Sequence, residues 1–260
     1  GGRVAFADDR FTKFNVCHFL FDKLWRAACF RAYEPDAYGI LARNGYTDAA
    51  LSLLDMPPAD LPVQPGAVVT YRFEELLVST STMDFCHPGN NFAPEAVDVL
   101  ERLANIAAAP SSTVSCRRVF VDRKDAKARR ILNRDELLCV LERHDVEIMV
   151  PESMPLVEQI RAFGQAELVL GVHGAGLSNA WFCRSEKARV LEILPPLCAT
   201  PVFWKLAMAK NIAYDAFVGS DMEIDRPDYR HWKHQPEKFN RRDVIVDIDR
   251  FEAFVDMNVS

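Results

Sequence analysis

Apolar positions recur with two periods in this chain, and the second half shows them most cleanly. "RRVFVD" (117–122) is a buried strand, and "NRDELLCVLERH" (133–144) has helical spacing, with Asn133 as candidate N-cap. "VEIMV" (146–150) is a strand and "MPLVEQIRAFGQ" (154–165) a helix with Pro155 in its first turn. "ELVLGVH" (167–173) predicts a strand, "GLSNAWFC" a short helix and "RVLEIL" (189–194) a strand. "TPVFWKLAMAKN" (200–211) predicts a helix and "IAYDAF" (212–217) a strand. Strands alternating with helices imply a parallel sheet covered on both faces, a doubly wound Rossmann-like unit over roughly 110–220.

The first half is less regular. "NVCHFLFDKLWRAACF" (15–30) has helical spacing, and "PDAYGILARN" (35–44) reads as a second helix. "AVVTYRFEELLVS" (67–79) suggests strand material, "PPADLPVQPG" a loop and "APEAVDVLERLANIAAA" (93–109) a helix. The small, polar stretch "AAAPSSTVSC" (107–116) is the best boundary. The expectation is two α/β domains, 1–110 and 111–260, with a crevice between them. "RPDYRHWKHQPEKFNRRD" (226–243) is a polar loop or lid, and "DRFEAFVDM" (249–257) a closing helix that packs back on the first domain.

One stretch, "ELVLGVHGAGLSNAWF" (167–182), carries more than a pattern. Its apolar run stops at His173, where an open parallel sheet places ligands. Gly174 and Gly176 would let the backbone turn and approach a ligand closely. A helix starting there would aim free N–H groups and its positive end at an anion, a gain of about 0.3–2 kcal/mol. The alternative is a tight turn with a capping histidine. A dinucleotide loop fails because Asn179 stands where the third glycine belongs. A lipase-type oxyanion loop fails for want of a G-x-S-x-G elbow, and a P-loop for want of G-K-S/T. A diphosphate cradle in another α/β family remains.

Composition narrows this further. The chain has 260 residues, 49% of them apolar and 26% charged, the balance of a globular protein able to bury its own core. A net charge of −6 disfavours nucleic acid as partner, while basic clusters at Arg117–Arg118 and Arg123–Arg130 leave room for a small phosphorylated ligand. Seven cysteines form no C-x-x-C pair and read as reduced thiols. No apolar run nears the ~20 residues of a membrane helix, and no signal peptide opens the chain. "GGRVAFADD" reads as protein interior, so the expectation is a first domain truncated at its N-terminus.

The run from "RRILNRDELL" to "GVHGAGLSNAWF" resembles glycosyltransferase family 61, which includes plant xylosyl- and arabinosyltransferases, animal secretory-pathway O-linked GlcNAc transferases and bacterial capsular-polysaccharide enzymes. The matching elements are Arg130, Ile131 and Asn133, then Glu136–Leu137, Pro151–Glu152, Glu158–Gln159–Ile160 and the block His173–Asn179. "NVCHFLFD" is similar to the family's N-x-x-H-x-x-x-D element, with Asn15, His18 and Asp22 in register. The resemblance implies a GT-B fold, two Rossmann-like domains facing across a cleft, and inverting transfer from a nucleotide-sugar, usually a UDP-sugar, to a hydroxyl. Surface polysaccharide biosynthesis is the expected setting. The alternatives are a non-catalytic sugar-nucleotide or glycan-binding member of this fold, and an α/β hydrolase.

Within that reading, His18 would be the general base, oriented by Asp22 at i+4, with Asn15 on the acceptor side. The other reading of this spacing is a surface or satisfied histidine–aspartate pair. Donor binding falls to Arg123, Arg130, Asn133, Glu152, Glu192 and the loop His173, Gly174, Ala175, Gly176 and Leu177. The arginines suit a departing diphosphate, and Glu192, placed at the end of its strand, would hold ribose or sugar hydroxyls. "RKDAKARR" has a solvated charge run as its bland alternative. The Asp-x-Asp of "VIVDID" (244–249) is read as a strand end entering the last helix, so no cofactor or metal is expected. The expected partners are a nucleotide-sugar and a glycan acceptor, with peripheral membrane association and a homodimer left open. The thiols favour a bacterial cytoplasm, with the Golgi or ER lumen as the alternative in a eukaryote.

Overall fold

The computed structural model describes residues 2–6, 15–40, 43–61, 71–79, 92–107, 118–196, 198, 200–220 and 242–259. Of the stretches read from the sequence, 62–70, 226–241 and the boundary from 108 to 116 lie outside them. The chain divides into two compact units, Gly1–Ser111 with Pro155–Ile160, and Ser112–Met154 with Arg161–Ser260.

The first unit is built on a three-stranded parallel sheet. β1 (Arg3–Phe6) lies between β2 (Ala37–Gly39) and β3 (Glu75–Val78). β2 occupies the stretch whose spacing predicts a helix over 35–44. Tyr38 donates its N–H to Pro57 O at 2.8 Å and accepts from Ala59 N at 2.8 Å, while its neighbours pair with β1. That tertiary pairing overrides a weak local preference. Neither β1 nor α3 (Gly45–Leu53) was marked by a strong period. α3 is set instead by a capping box, in which Asn44 Oδ1 accepts from Thr47 N and Thr47 Oγ1 accepts from Asn44 N.

The long helical stretch of this unit is not uniform. α1 (Val16–His18) runs into a π-helical segment, Phe19–Leu24, then α2 (Trp25–Cys29) and a 3₁₀ turn. All six residues of the π segment are buried, which a 3.6-residue stripe does not foresee. The Trp25 indole N–H donates to Phe21 O at 3.0 Å inside the widened turn. α4 (Pro94–Ala107) buries Ala96, Leu100, Leu103, Ala104 and Ala107, a clean amphipathic stripe. Its start packs with Trp25, and Phe92 meets Phe21 edge-on at 5.2 Å.

The second unit holds a five-stranded, wholly parallel sheet in the order β5-β4-β6-β7-β8. The strands are β4 (Arg118–Val121), β5 (Glu147–Met149), β6 (Leu168–Val172), β7 (Arg189–Leu194) and β8 (Ala213–Val218). α5 (Arg134–Arg143), α6 (Leu156–Gly164), a 3₁₀ helix over Ala175–Phe182 and α7 (Val202–Lys210) connect them, and α8 (Ile248–Val259) closes the chain. All five residues of β6 are buried, as expected of a strand covered on both faces. Phe120, Leu141, Leu170, Leu191, Ile193 and Phe251 form the centre of the core.

From β4 the chain steps outward to β5, then returns past β4 to β6. The strand order therefore reverses between β4 and β6. The crevice outside their carboxyl ends is where open α/β sheets bind ligands. Asn133 precedes α5, yet its side chain makes no capping bond. Its amide instead donates to Val246 O at 2.7 Å and accepts from Val246 N at 3.0 Å. Together with the Ile131–Val244 bridge, this fastens the segment leading to α8 beside the start of α5. Asp247 accepts from Arg250 N at 3.2 Å, so the first aspartate of Asp-x-Asp serves the start of α8.

Candidate active site

The β4/β6 crevice opens into a pocket lined by Asp122, Arg123, Lys124, Arg129, Arg130 and Arg134, with apolar walls from β4 and β6. Five cations around one carboxylate make a site for an anion. Asp122, buried at the end of β4, is already committed: Arg134 Nη2 donates to Oδ2 at 2.6 Å and Nε to Oδ1 at 3.2 Å. A cation opening α5 opposes the helix dipole, and Asp122 offsets that.

Arg123 leaves β4 and turns over the loop after β6. Its Nη1 donates to His173 O at 2.8 Å. A Cβ at residue 174 would lie 2.1 Å from Arg123 Nη1 and 2.7 Å from Cζ. Gly174 itself has φ 175°, extended backbone open to any residue. The glycine therefore leaves the room in which that guanidinium lies, and no turn calls for it. Gly176 is required by β4, since a Cβ there would lie 2.7 Å from Val121 Cγ1. The segment that follows, holding Ala175 and Leu177, is a 3₁₀ helix, closed by Leu177 N donating to Gly174 O at 3.0 Å.

Burial, and after it the positive charge of Arg129, pull the Arg123 guanidinium below its ordinary value; Glu152 acts the other way. Two guanidiniums within electrostatic reach repel each other, and an anion between them would relieve it. Arg129 reaches this place from a left-handed backbone, φ 59°, which costs a non-glycine residue about 1–3 kcal/mol. The "RKDAKARR" stretch is thus partly folded inward, with Arg123 and Arg129 half-buried and Lys124 exposed. Arg130 lines the same pocket, but its Nε donates to Asp243 Oδ2 at 2.9 Å and its backbone N–H to Oδ1 at 2.8 Å. Arg130 and Asn133 both hold the returning segment Asp243–Val246.

Behind the loop, His173 Nδ1 pairs closely with Glu192 Oε1, and Tyr214 Oη donates to Glu192 Oε2 at 2.6 Å. Glu192 is 0% exposed, and it sits in the middle of β7, which corrects its expected place at an exposed strand end. A carboxylate in the sheet interior is tolerable only with such partners. Burial first, then the Glu192 charge, push the Tyr214 phenol above its ordinary range. The His173 ring packs edge-on against Phe203, with centroids 5.2 Å apart.

In the first unit, His18 Nδ1 lies 2.7 Å from Asp22 Oδ2, and both side chains are largely buried. The pair straddles the start of the π segment, a distortion that occurs often at functional sites. Asn15 caps the helix, its Oδ1 accepting from Cys17 N at 3.0 Å and His18 N at 3.3 Å. Asp22 thus holds the imidazole from the same helix, and Asn15 holds the backbone turn that carries it.

Sequence reasoning passed over Asp122, Arg129, Arg134, Phe203 and Tyr214. An aspartate directly after a parallel strand was a usable signal for Asp122. Tyr214 needed the strand register: Glu192 pairs with Ala216, which makes Tyr214 its diagonal neighbour on the same face. Among the described residues no cluster of metal-ligating side chains is present, and no helix is long and apolar enough to cross a membrane.

Residues 16–191 match the family model described as Glycosyltransferase 61. Over 160 residues the chain is 26% identical to the EGF domain-specific O-linked N-acetylglucosamine transferase of Drosophila melanogaster. That alignment covers 60% of this chain and 30% of the fly protein, so the chain spans about a third of that relative's length.

Proposed function

Because the chain belongs to glycosyltransferase family 61, we propose that it transfers a sugar, with inversion, from a nucleotide diphosphate sugar to an acceptor hydroxyl. UDP is the nucleotide we assign, and N-acetylglucosamine, in the name of the fly relative, is the first sugar to test. The observation that carries the reading is the cationic crevice at the β4/β6 reversal, where Arg123 is pressed against Gly174 with Arg129 in electrostatic reach.

In this mechanism the diphosphate occupies that crevice. Arg123 and Arg129 take the charge that grows on the departing phosphate, and Arg130 adds to the field from the rim. His173 donates from its outer ring nitrogen, and the loop Gly174–Leu177 brings its backbone close to the same oxygens. Glu152, beside Arg123, limits how much positive charge the empty site carries. His18 takes the proton of the acceptor hydroxyl as the new glycosidic bond forms. Asp22 keeps the Nδ1 side of that ring occupied and its other nitrogen basic. Inversion follows because the base and the leaving diphosphate act on opposite faces of the sugar. A GT-B arrangement, with the first unit holding the acceptor and the second the donor, belongs to this proposal; the separate parallel sheet of each unit supports it.

The test is release of nucleotide from a panel of UDP-, GDP- and CMP-sugars, with and without acceptor and with and without chelator. The expectation is turnover of a UDP-sugar that survives chelation. Turnover abolished by chelator and restored by Mn²⁺ would overturn the metal-free mechanism. Failure of every nucleotide-sugar to bind would overturn the reading itself.

A further inference from the structure

We propose that Tyr214 is a positioning residue for the donor site, acting through Glu192 to fix which nitrogen His173 presents. The proposal rests on the assignment of His173 to the diphosphate. It extends the site to β8, beyond the residues 16–191 that match the family.

The geometry is a three-membered chain. Tyr214 Oη donates to Glu192 Oε2 at 2.6 Å, and the other oxygen, Oε1, faces His173 Nδ1 in a short contact. Glu192 has no solvent contact at all, so its two oxygens depend on these partners. A carboxylate can only accept. With the phenol donating on one side, the histidine must supply the proton on the other, and that proton sits on Nδ1. Nε2 is then the working nitrogen. Among the described residues nothing bonds it, whereas the ring is held by Glu192 and by the Phe203 edge, and the backbone of residue 173 by Arg123. When the ring is charged, Nε2 carries an N–H that can be donated to a phosphate oxygen.

Without the phenol, Glu192 has one oxygen unpaired in the sheet interior. It can relieve this by rotating or by drawing the Nδ1 proton to itself, and either change takes away the acceptor that lets the ring hold protons on both nitrogens, and with it the charged Nε2–H donor. The hydroxyl is the only part of Tyr214 needed for this. Tyr214 is half-buried on β8, and Tyr214→Phe removes the hydroxyl alone, so the fold should be kept.

The test uses the whole chain labelled with ¹⁵N-histidine, with His173→Asn as the assignment control, read first without ligand. The wild type should show His173 Nδ1 bonded to a strongly hydrogen-bonded proton. Tyr214→Phe should weaken or lose that signal and lower UDP affinity on the order of tenfold. Glu192→Gln should lower it further. The double variant Tyr214→Phe/Glu192→Gln should be no worse than Glu192→Gln alone, because the phenol acts only through the carboxylate. An unchanged Nδ1 signal in Tyr214→Phe, or independent and additive losses in the double variant, would overturn the proposal. Absence of UDP binding by the wild type would instead remove the glycosyl-transfer reading, and the ligand-free spectra would still decide whether Tyr214 holds the proton on His173 Nδ1.

Discussion

Gly174→Ala is a minimal perturbation with a defined target. The added methyl would sit 2.1 Å from Arg123 Nη1 and 2.7 Å from Cζ, against the ~3.5–4.0 Å of ordinary contact. Something must retreat by more than an ångström. The backbone need not, because φ 175° suits alanine as well as glycine. The guanidinium is the free end of a flexible chain and will be the part that moves. It then loses its 2.8 Å bond to His173 O, a charged donor on a carbonyl worth about 1.5–3 kcal/mol. Arg123→Ala loses the same bond. The double variant should therefore cost little more than either single one, leaving a coupling energy of about 1.5–3 kcal/mol. Urea denaturation of the four proteins measures the stability cycle, and calorimetric titration with UDP measures the binding cycle. Additivity within about 0.5 kcal/mol in both would refute the claim that residue 174 is glycine on account of Arg123.

Gly176→Ala should behave differently, since its methyl meets a β-branched valine in β4: a loss of about 1–3 kcal/mol in stability that persists in an Arg123→Ala background. Asn133→Ala removes both bonds to Val246 and should cost about 1–3 kcal/mol, with faster amide exchange in α8. His18→Ala should abolish transfer while UDP binding survives, and turnover at the wild-type rate would remove His18 from the role of base. Burial and Glu192 raise the Tyr214 phenol above its ordinary value of 10. The unfolded chain then loses this proton first, so the contribution to stability is intact below about pH 10 and falls as pH rises past it. Melting temperatures between pH 8 and 11 should drop less steeply in Tyr214→Phe than in wild type.

The second unit was legible because its signals were local. β4 and β6 are apolar runs bounded by polar residues, β7 and β8 are mostly apolar with one acid each, α5 carries an apolar stripe, and a proline precedes α6 and α7. The His173 loop was legible too, as a place, although not in its detail. Gly174 was read as a turn glycine, and only the path of Arg123, fifty residues earlier in the chain, shows what it avoids. The partners that let Glu192 lie in the sheet interior come from β8 and from the loop after β6, so the sequence alone places it at a strand end. The first unit was harder for the same kind of reason. β2 is three residues long and owes its state to β1 and to Pro57–Ala59, and the π segment hides inside an ordinary helical spacing. The contact between His18 and Asp22 is nevertheless legible, since an i,i+4 pair survives that distortion.

The central claim is that the β4/β6 crevice holds the diphosphate of the donor. It is tested most directly by titrating UDP into the wild type, Arg123→Ala and His18→Ala. The account predicts UDP binding in the wild type, a loss of at least tenfold in Arg123→Ala, on the scale of one charged hydrogen bond, and no change in His18→Ala. Equal affinity in the wild type and Arg123→Ala would contradict it.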